Sequence, residues 1–243
     1  MICKLCLNNY PKLADSHIIP EFEYLRNKIF AKGDGAMFDF QRGKIKKSRK
    51  GEYEKLLCLQ CESNVNKRYE SYALKLFYDG SYPNTNFSWQ KLNNLQFGTV
   101  LHYSGVNYHK LKSYLLLNLW RSAISSRPFF ERISIPEERL ESMRVKLLEN
   151  IPFDENDFAI SIHSFEYSQR ISPTIIQPAT AEDISFFLIG KTFYLYHHND
   201  SKVNDETIFL TPKENGEFSV QIVPEDRASQ ILNRYHKTDI FNL

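Results

Sequence analysis

Only four cysteines occur in the 243 residues, and none stands alone: Cys3 pairs with Cys6 and Cys58 with Cys61, each at CxxC spacing. No fifth cysteine is left to act as a free nucleophile. Long hydrophobic runs are also missing. The most apolar stretch, residues 114–120, contains Asn118 and lies between Lys112 and Arg121, far too short to span a bilayer. No apolar h-region precedes Cys3, so no signal peptide is expected and a cytoplasmic location is. The chain has no glycine-rich phosphate loop, no Gly-x-Ser-x-Gly elbow, no internal repeat and no low-complexity tract. Those absences remove the nucleotide-loop and elbow-hydrolase classes. The formal net charge is only +2, so no global bias toward one sign of partner exists.

That small net charge is unevenly spread. Residues 1–79 carry fifteen Lys and Arg against ten Asp and Glu, whereas residues 80–243 carry sixteen against nineteen. The basic part is also the part with the cysteines, the sense expected if it meets phosphate. Within it, Arg42, Lys44, Lys46, Lys47, Arg49 and Lys50 crowd into nine residues of a polar stretch, 33–51, that reads as a loop. Such a run is either a solvated insertion or a phosphate-gripping loop. No aromatic is interleaved, so base stacking is not implied there.

Two CxxC units in a reducing compartment bind metal more readily than they pair as disulfides, because two thiolates at that spacing reach one tetrahedral ion across a tight turn. The four cysteines therefore predict one structural zinc. The 51 residues between the pairs form a folded insertion in which Ser16-His17-Ile18-Ile19-Pro20 reads as a strand stopped by proline. Helical spacing follows over 21–30 and again over 62–78. Residues 81–106 look like a connector. A helix over 108–126 puts Leu116, Leu119, Trp120 and Ala123 on one face, with Trp120 and Arg121 reading as core packing beside an end-of-helix cation. Ser134 and Glu137 stand at capping-box spacing for a helix that runs through Leu147.

From Phe158 onward the period turns toward two. Strands are predicted over 158–165, 171–176, 184–189, 192–197, 208–211 and 218–223, with Gly190-Lys191 as a tight hairpin turn and an amphipathic helix over 224–235. His197 and His198, at the end of a strand, read as a surface pair. The fold class is thus α+β, with a zinc-binding module over residues 1–80 and, over residues 81–243, helices followed by an antiparallel sheet.

The first module resembles the HNH endonuclease superfamily, a zinc-stabilised treble-clef or ββα-metal fold. The residues that carry the likeness are Cys3-Lys4-Leu5-Cys6, Ser16-His17-Ile18-Ile19-Pro20 and Leu57-Cys58-Leu59-Gln60-Cys61-Glu62. The chain also resembles a group of bacterial proteins with Ser-His-Ile-Ile-Pro, Leu-Leu-Cys-x-x-Cys-Glu and Leu-Trp-Arg stretches, the last matched by Leu119-Trp120-Arg121. The HNH resemblance implies that His17 is a general base, that Glu62 and Asn66, at i and i+4 of a helix, hold a catalytic Mg²⁺ or Mn²⁺, and that Asp15 shares the strand face of His17. It departs from the family pattern at three positions: Ser16 replaces the acid before the histidine, Glu62 replaces the helix histidine, and no Asn lies near Tyr53. Two functions stay open. One is a metal-dependent nuclease acting on nucleic acid, DNA more than RNA, in bacterial phage defence or a mobile element. The other is an inactive zinc-finger adaptor that binds nucleic acid or, through the C-terminal part, a protein partner.

Overall fold

The computed structural model describes residues 1–26, 36–39, 44–46, 51–79, 88–166, 174–198, 205–227 and 230. The fold is mixed α+β. A two-stranded ladder pairs β1 (Ser16–His17) with β4 (Tyr53–Glu54), antiparallel. Helix α1 (Glu21–Arg26) follows Pro20, and the part of the predicted helix beyond Arg26 lies outside the described residues up to Phe30. After the second cysteine pair, a helical run spans α2 (Leu59–Val65), a π-turn segment (Asn66–Glu70), α3 (Ser71–Leu74) and a second π segment (Lys75–Asp79).

Two stretches read as loop and connector contain strands among their described residues. Residues 33–51 contain β2 (Ala36–Asp39) and β3 (Lys44–Lys46), an antiparallel pair. Residues 81–106 contain the hairpin β5 (Ser88–Asn94) and β6 (Gly98–Ser104). Both are sheet-edge elements, where one polar or charged residue per turn of the pleat is tolerated, so their low hydrophobicity hid the period of two. The remaining strands are β7 (Ala159–Phe165), β8 (Thr174–Ala181), β9 (Ile184–Gly190), β10 (Thr192–His197) and β11 (Phe218–Val223). They join the two hairpins in one nine-stranded sheet of order β3-β2-β8-β9-β10-β7-β11-β6-β5. All its pairs are antiparallel except β11 with β7 and β2 with β8. Gly190 takes φ +67° and Thr192 pairs with Ile189, which makes the Gly190-Lys191 turn the expected two-residue hairpin.

The predicted strand over 208–211 is instead the C-terminal part of a short helix, α6 (Asp205–Leu210). The apolar pair Ile208–Phe209 fits either period over so few residues. The predicted terminal helix is helical at 225–227; most of its remainder lies outside the described residues.

Helix α4 (Tyr108–Ile124) is the axis of the molecule. Every residue from Leu111 to Ser122 is buried, so the expected single apolar face is a helix covered on all sides. One side meets the helical run at 66–74 and α5 (Glu137–Glu149), and another meets the sheet, where Tyr196 donates from its hydroxyl to the Leu115 carbonyl at 3.2 Å. Its start is capped by Asn107, whose side chain accepts from Lys110 N–H at 2.9 Å. The expected capping box at α5 does not form: Pro136 occupies the N-cap position without a side-chain bond, and Ser134 N–H donates to Thr180 Oγ1. One apolar cluster runs without a break from Cys3 and Leu5 through α4 to Phe187 and Val220. Strands from inside the first 80 residues and from the rest of the chain share the nine-stranded sheet.

Candidate metal centre and its surroundings

The two cysteine pairs meet. The Sγ atoms of Cys3, Cys6, Cys58 and Cys61 all lie within 4.8 Å of one another, and all four are free thiols. Sulfurs held about 2.3 Å from one tetrahedral ion stand about 3.8 Å apart, so this donor set fits a zinc ion. The local chain explains the convergence. Cys3 and Cys6 bracket a tight turn closed by Leu7 N–H to the Cys3 carbonyl at 2.9 Å, with Leu7 at φ +61°. Cys58 is the N-cap of α2 and its sulfur accepts from Cys61 N–H at 3.4 Å; Cys58 N–H donates to the Cys3 sulfur at 3.2 Å. Backbone donors to sulfur favour thiolates, which is what a zinc ligand must be. The thiols are correspondingly unequal. Burial raises Cys3 and Cys61. Cys6 is held down to about 7: burial opposes this, but bonds from the Asn8 backbone, Cys3, Tyr10 and Cys61 outweigh it. The Cys6 sulfur and the Tyr10 hydroxyl are 3.8 Å apart.

His17, Glu62 and Asn66 lie around one side chain, Arg121. It stands in the last turn of α4, as the sequence suggested, but is fully buried there. Its NH1 donates to Glu70 Oε1 at 2.5 Å and to the His17 carbonyl at 3.1 Å, and its NH2 donates to both Glu62 carboxylate oxygens at 3.3 Å. Glu62 also accepts from Ser16 Oγ at 2.7 Å, and Ser16 Oγ accepts from Leu57 N–H at 3.3 Å. Asn66 donates to Glu70 Oε2 at 3.2 Å. Burial works against the charge of Arg121, but Glu70 and then Glu62 more than offset it and raise its pKa above the ordinary arginine value. Its Nε, buried, has no hydrogen-bond partner among the described residues.

Of the residues expected about one ion, Glu62 and Asn66 join the Arg121 network, while His17 meets it through its backbone carbonyl. Asp15 turns outward to Lys55, 2.6 Å away. Among the described residues, the cysteine quartet is the sole group of three or more His, Cys, Asp and Glu side chains close enough to share an ion. His17 is half-buried beside the Tyr53 ring, with centroids 6.1 Å apart. Of the basic stretch, Lys44 and Lys46 occupy alternate positions of β3, the outermost strand of the sheet; Arg42, Lys47, Arg49 and Lys50 lie outside the described residues.

Sequence reasoning missed two constellations. Arg121 was visible only as the charge that ends the apolar run at 114–120, and that signal could have marked it as an internal counter-ion. The other joins Thr180, Ser185 and His198: Thr180 Oγ1 and Ser185 Oγ are 2.7 Å apart, and Ser185 Oγ and His198 Nε2 are 2.8 Å apart. His198 is therefore a buried residue rather than half of a surface pair, and burial lowers its pKa to about 4. Only the register of three strands brings these residues together, so no spacing in the sequence announces them. No described helix is long and apolar enough to cross a membrane. Comparison of the chain with family models, with curated proteins and with solved structures finds no match.

Proposed function

We propose that the protein is a zinc-structured, HNH-like module that binds nucleic acid, DNA before RNA, without cutting it. The order of parts supports a treble clef: a cysteine turn, a short ladder carrying His17, then a helix whose first turn holds the second cysteine pair. The observation that favours binding over cleavage is the Arg121–Glu62 ion pair. In an HNH nuclease of the kind resembled, Glu62 and Asn66 would have to hold a divalent ion next to the histidine. Here the Arg121 guanidinium pairs with Glu62 as well as with Glu70, and Asn66 donates to Glu70. The zinc holds the N-terminal chain together, and the basic stretch at 42–50 supplies the phosphate contacts.

The test is binding of a fluorescently labelled DNA duplex at 50 and 200 mM salt, together with a cleavage assay in Mg²⁺ or Mn²⁺. We expect affinity to fall steeply with salt, the logarithmic salt slope to shrink by about one for each lysine neutralised among Lys44, Lys46 and Lys47, and the DNA to stay intact. Absence of binding at 50 mM salt would sink the proposal and leave a protein partner as the adaptor's target. Cleavage that disappears in His17→Ala would replace it with the nuclease reading.

A further inference from the structure

The two edges of the nine-stranded sheet differ in kind. At one edge lies β3, Lys44-Ile45-Lys46, three residues long with a lysine at each end. Short length and lysine are devices that keep an edge from pairing. At the other lies β5, seven residues without proline and with a single charge, Lys91. Ser88 to Asn93 are all exposed, and the hairpin displays Trp89 at 59%, Leu92 at 37% and Leu95 fully open to solvent. The seven residues pair in unbroken register with β6, from Ser88 opposite Ser104 to Asn94 opposite Gly98, so no bulge bends the edge away. Among the described residues β6 is its sole strand partner. A straight seven-residue edge with one charge, exposed Trp89 and Leu92, and outward-facing N–H and C=O groups is a template for one more strand.

We propose that β5 docks against β5 of a second copy of this chain, antiparallel across a two-fold axis through Gln90. A two-fold axis perpendicular to the sheet keeps side chains on their own faces, so residues can meet only in registers centred on a residue. Centring on Lys91 sets lysine against lysine, which is unfavourable for directly opposed like charges. Centring on Gln90 sets Trp89 opposite Lys91 of the other copy, twice, and Ser88 opposite Leu92. An ammonium beside an indole face is attractive, and Gln90 opposite itself pairs amide with amide. The strand's own sequence thus complements itself in one register and opposes itself in the next.

The full chain, zinc-loaded, is examined by sedimentation equilibrium over about 1–200 µM. The weight-average mass should climb with concentration from the 28.6 kDa monomer toward twice that value. Trp89→Lys, which faces lysine with lysine, should weaken association at least tenfold while leaving Tm unchanged, because Trp89 is exposed in the monomer. Adding Lys91→Glu to that variant should restore it. Gln90→Cys should form an intermolecular disulfide on mild oxidation: opposed Cα atoms in an antiparallel pair stand about 4.5–5.5 Å apart, within disulfide reach of about 4.4–6.8 Å. Lys91→Cys should not, because the two-residue offset separates those atoms by about 8 Å. A monomer at every concentration overturns the proposal, as does a dimer indifferent to Trp89→Lys. Cross-linking through position 91 rather than 90 overturns the register.

Discussion

Replacing Arg121 with methionine tests the physical core of the reading. The guanidinium is fully buried; the Glu70 side chain it meets at 2.5 Å is 8% exposed, and that of Glu62 is 25% exposed. Methionine fills much of the same volume but leaves two carboxylates without their cation. Removing one partner of a buried pair costs about 3–5 kcal/mol. Water reaches Glu62 and lowers that figure, while the lost bond to the His17 carbonyl adds about 1 kcal/mol. We expect a net loss of about 3–5 kcal/mol, which for a chain of this size is a fall in Tm of roughly 6–20 °C. Chemical unfolding of Arg121→Met measures it, with Arg121→Met/Glu62→Gln/Glu70→Gln as the partner variant, which should recover more than half of the loss. Arg121→Lys, which keeps the charge but cannot fork to both carboxylates, should fall between. A loss under 1 kcal/mol, or a triple variant no more stable than Arg121→Met, would refute the reasoning.

Three further outcomes follow from named features. Zinc should be found at one ion per chain by elemental analysis, and stripping it with a strong chelator should collapse near-UV dichroism and release four thiols to Ellman's reagent; fewer than four reactive thiols afterwards would contradict a four-sulfur site. His163, stacked on Phe193 and bonded to Gln221 and Ser161, has its pKa lowered by burial from 6.5 to about 4. Between those values the unfolded chain binds the proton and the folded one does not, so stability should fall by up to about 3 kcal/mol as pH drops from 6.5 to 4; His163→Gln should flatten that slope, and an unchanged slope would count against the burial argument. Gly51 has φ +73°, and a Cβ there would stand 2.6 Å from the Tyr24 ring. Gly51→Ala should therefore cost more than the usual 1 kcal/mol of a left-handed position, read as a lower urea midpoint, and an unaltered midpoint would show that the ring moves aside freely.

The α+β class and the cysteine cluster were legible in the sequence, and they share a reason. Each rests on residues whose role is fixed by spacing: the two CxxC units, the alternation through Phe186, Phe187, Leu188 and Ile189, and Gly190 at a turn that demands positive φ. Roles set by contact across the fold were not legible. Arg121 sits 59 residues from Glu62 and 51 from Glu70, and only the docking of α4 against the helical run at 59–70 turns three scattered charges into one network. The same docking changes what Glu62 can do. A carboxylate at the start of a helix, a histidine on the facing strand and an amide one turn on are a credible ion site so long as the space between them is open. Once α4 presents a guanidinium there, the electrostatic need for a divalent ion is met in part by a cation that Glu62 shares with Glu70, and an arriving Mg²⁺ would have to displace a buried charge together with its bonds to Glu70 and the His17 carbonyl. Spacing named the residues proposed for an ion site; the guanidinium that argues against a metal there comes from a helix whose docking the spacing does not reveal.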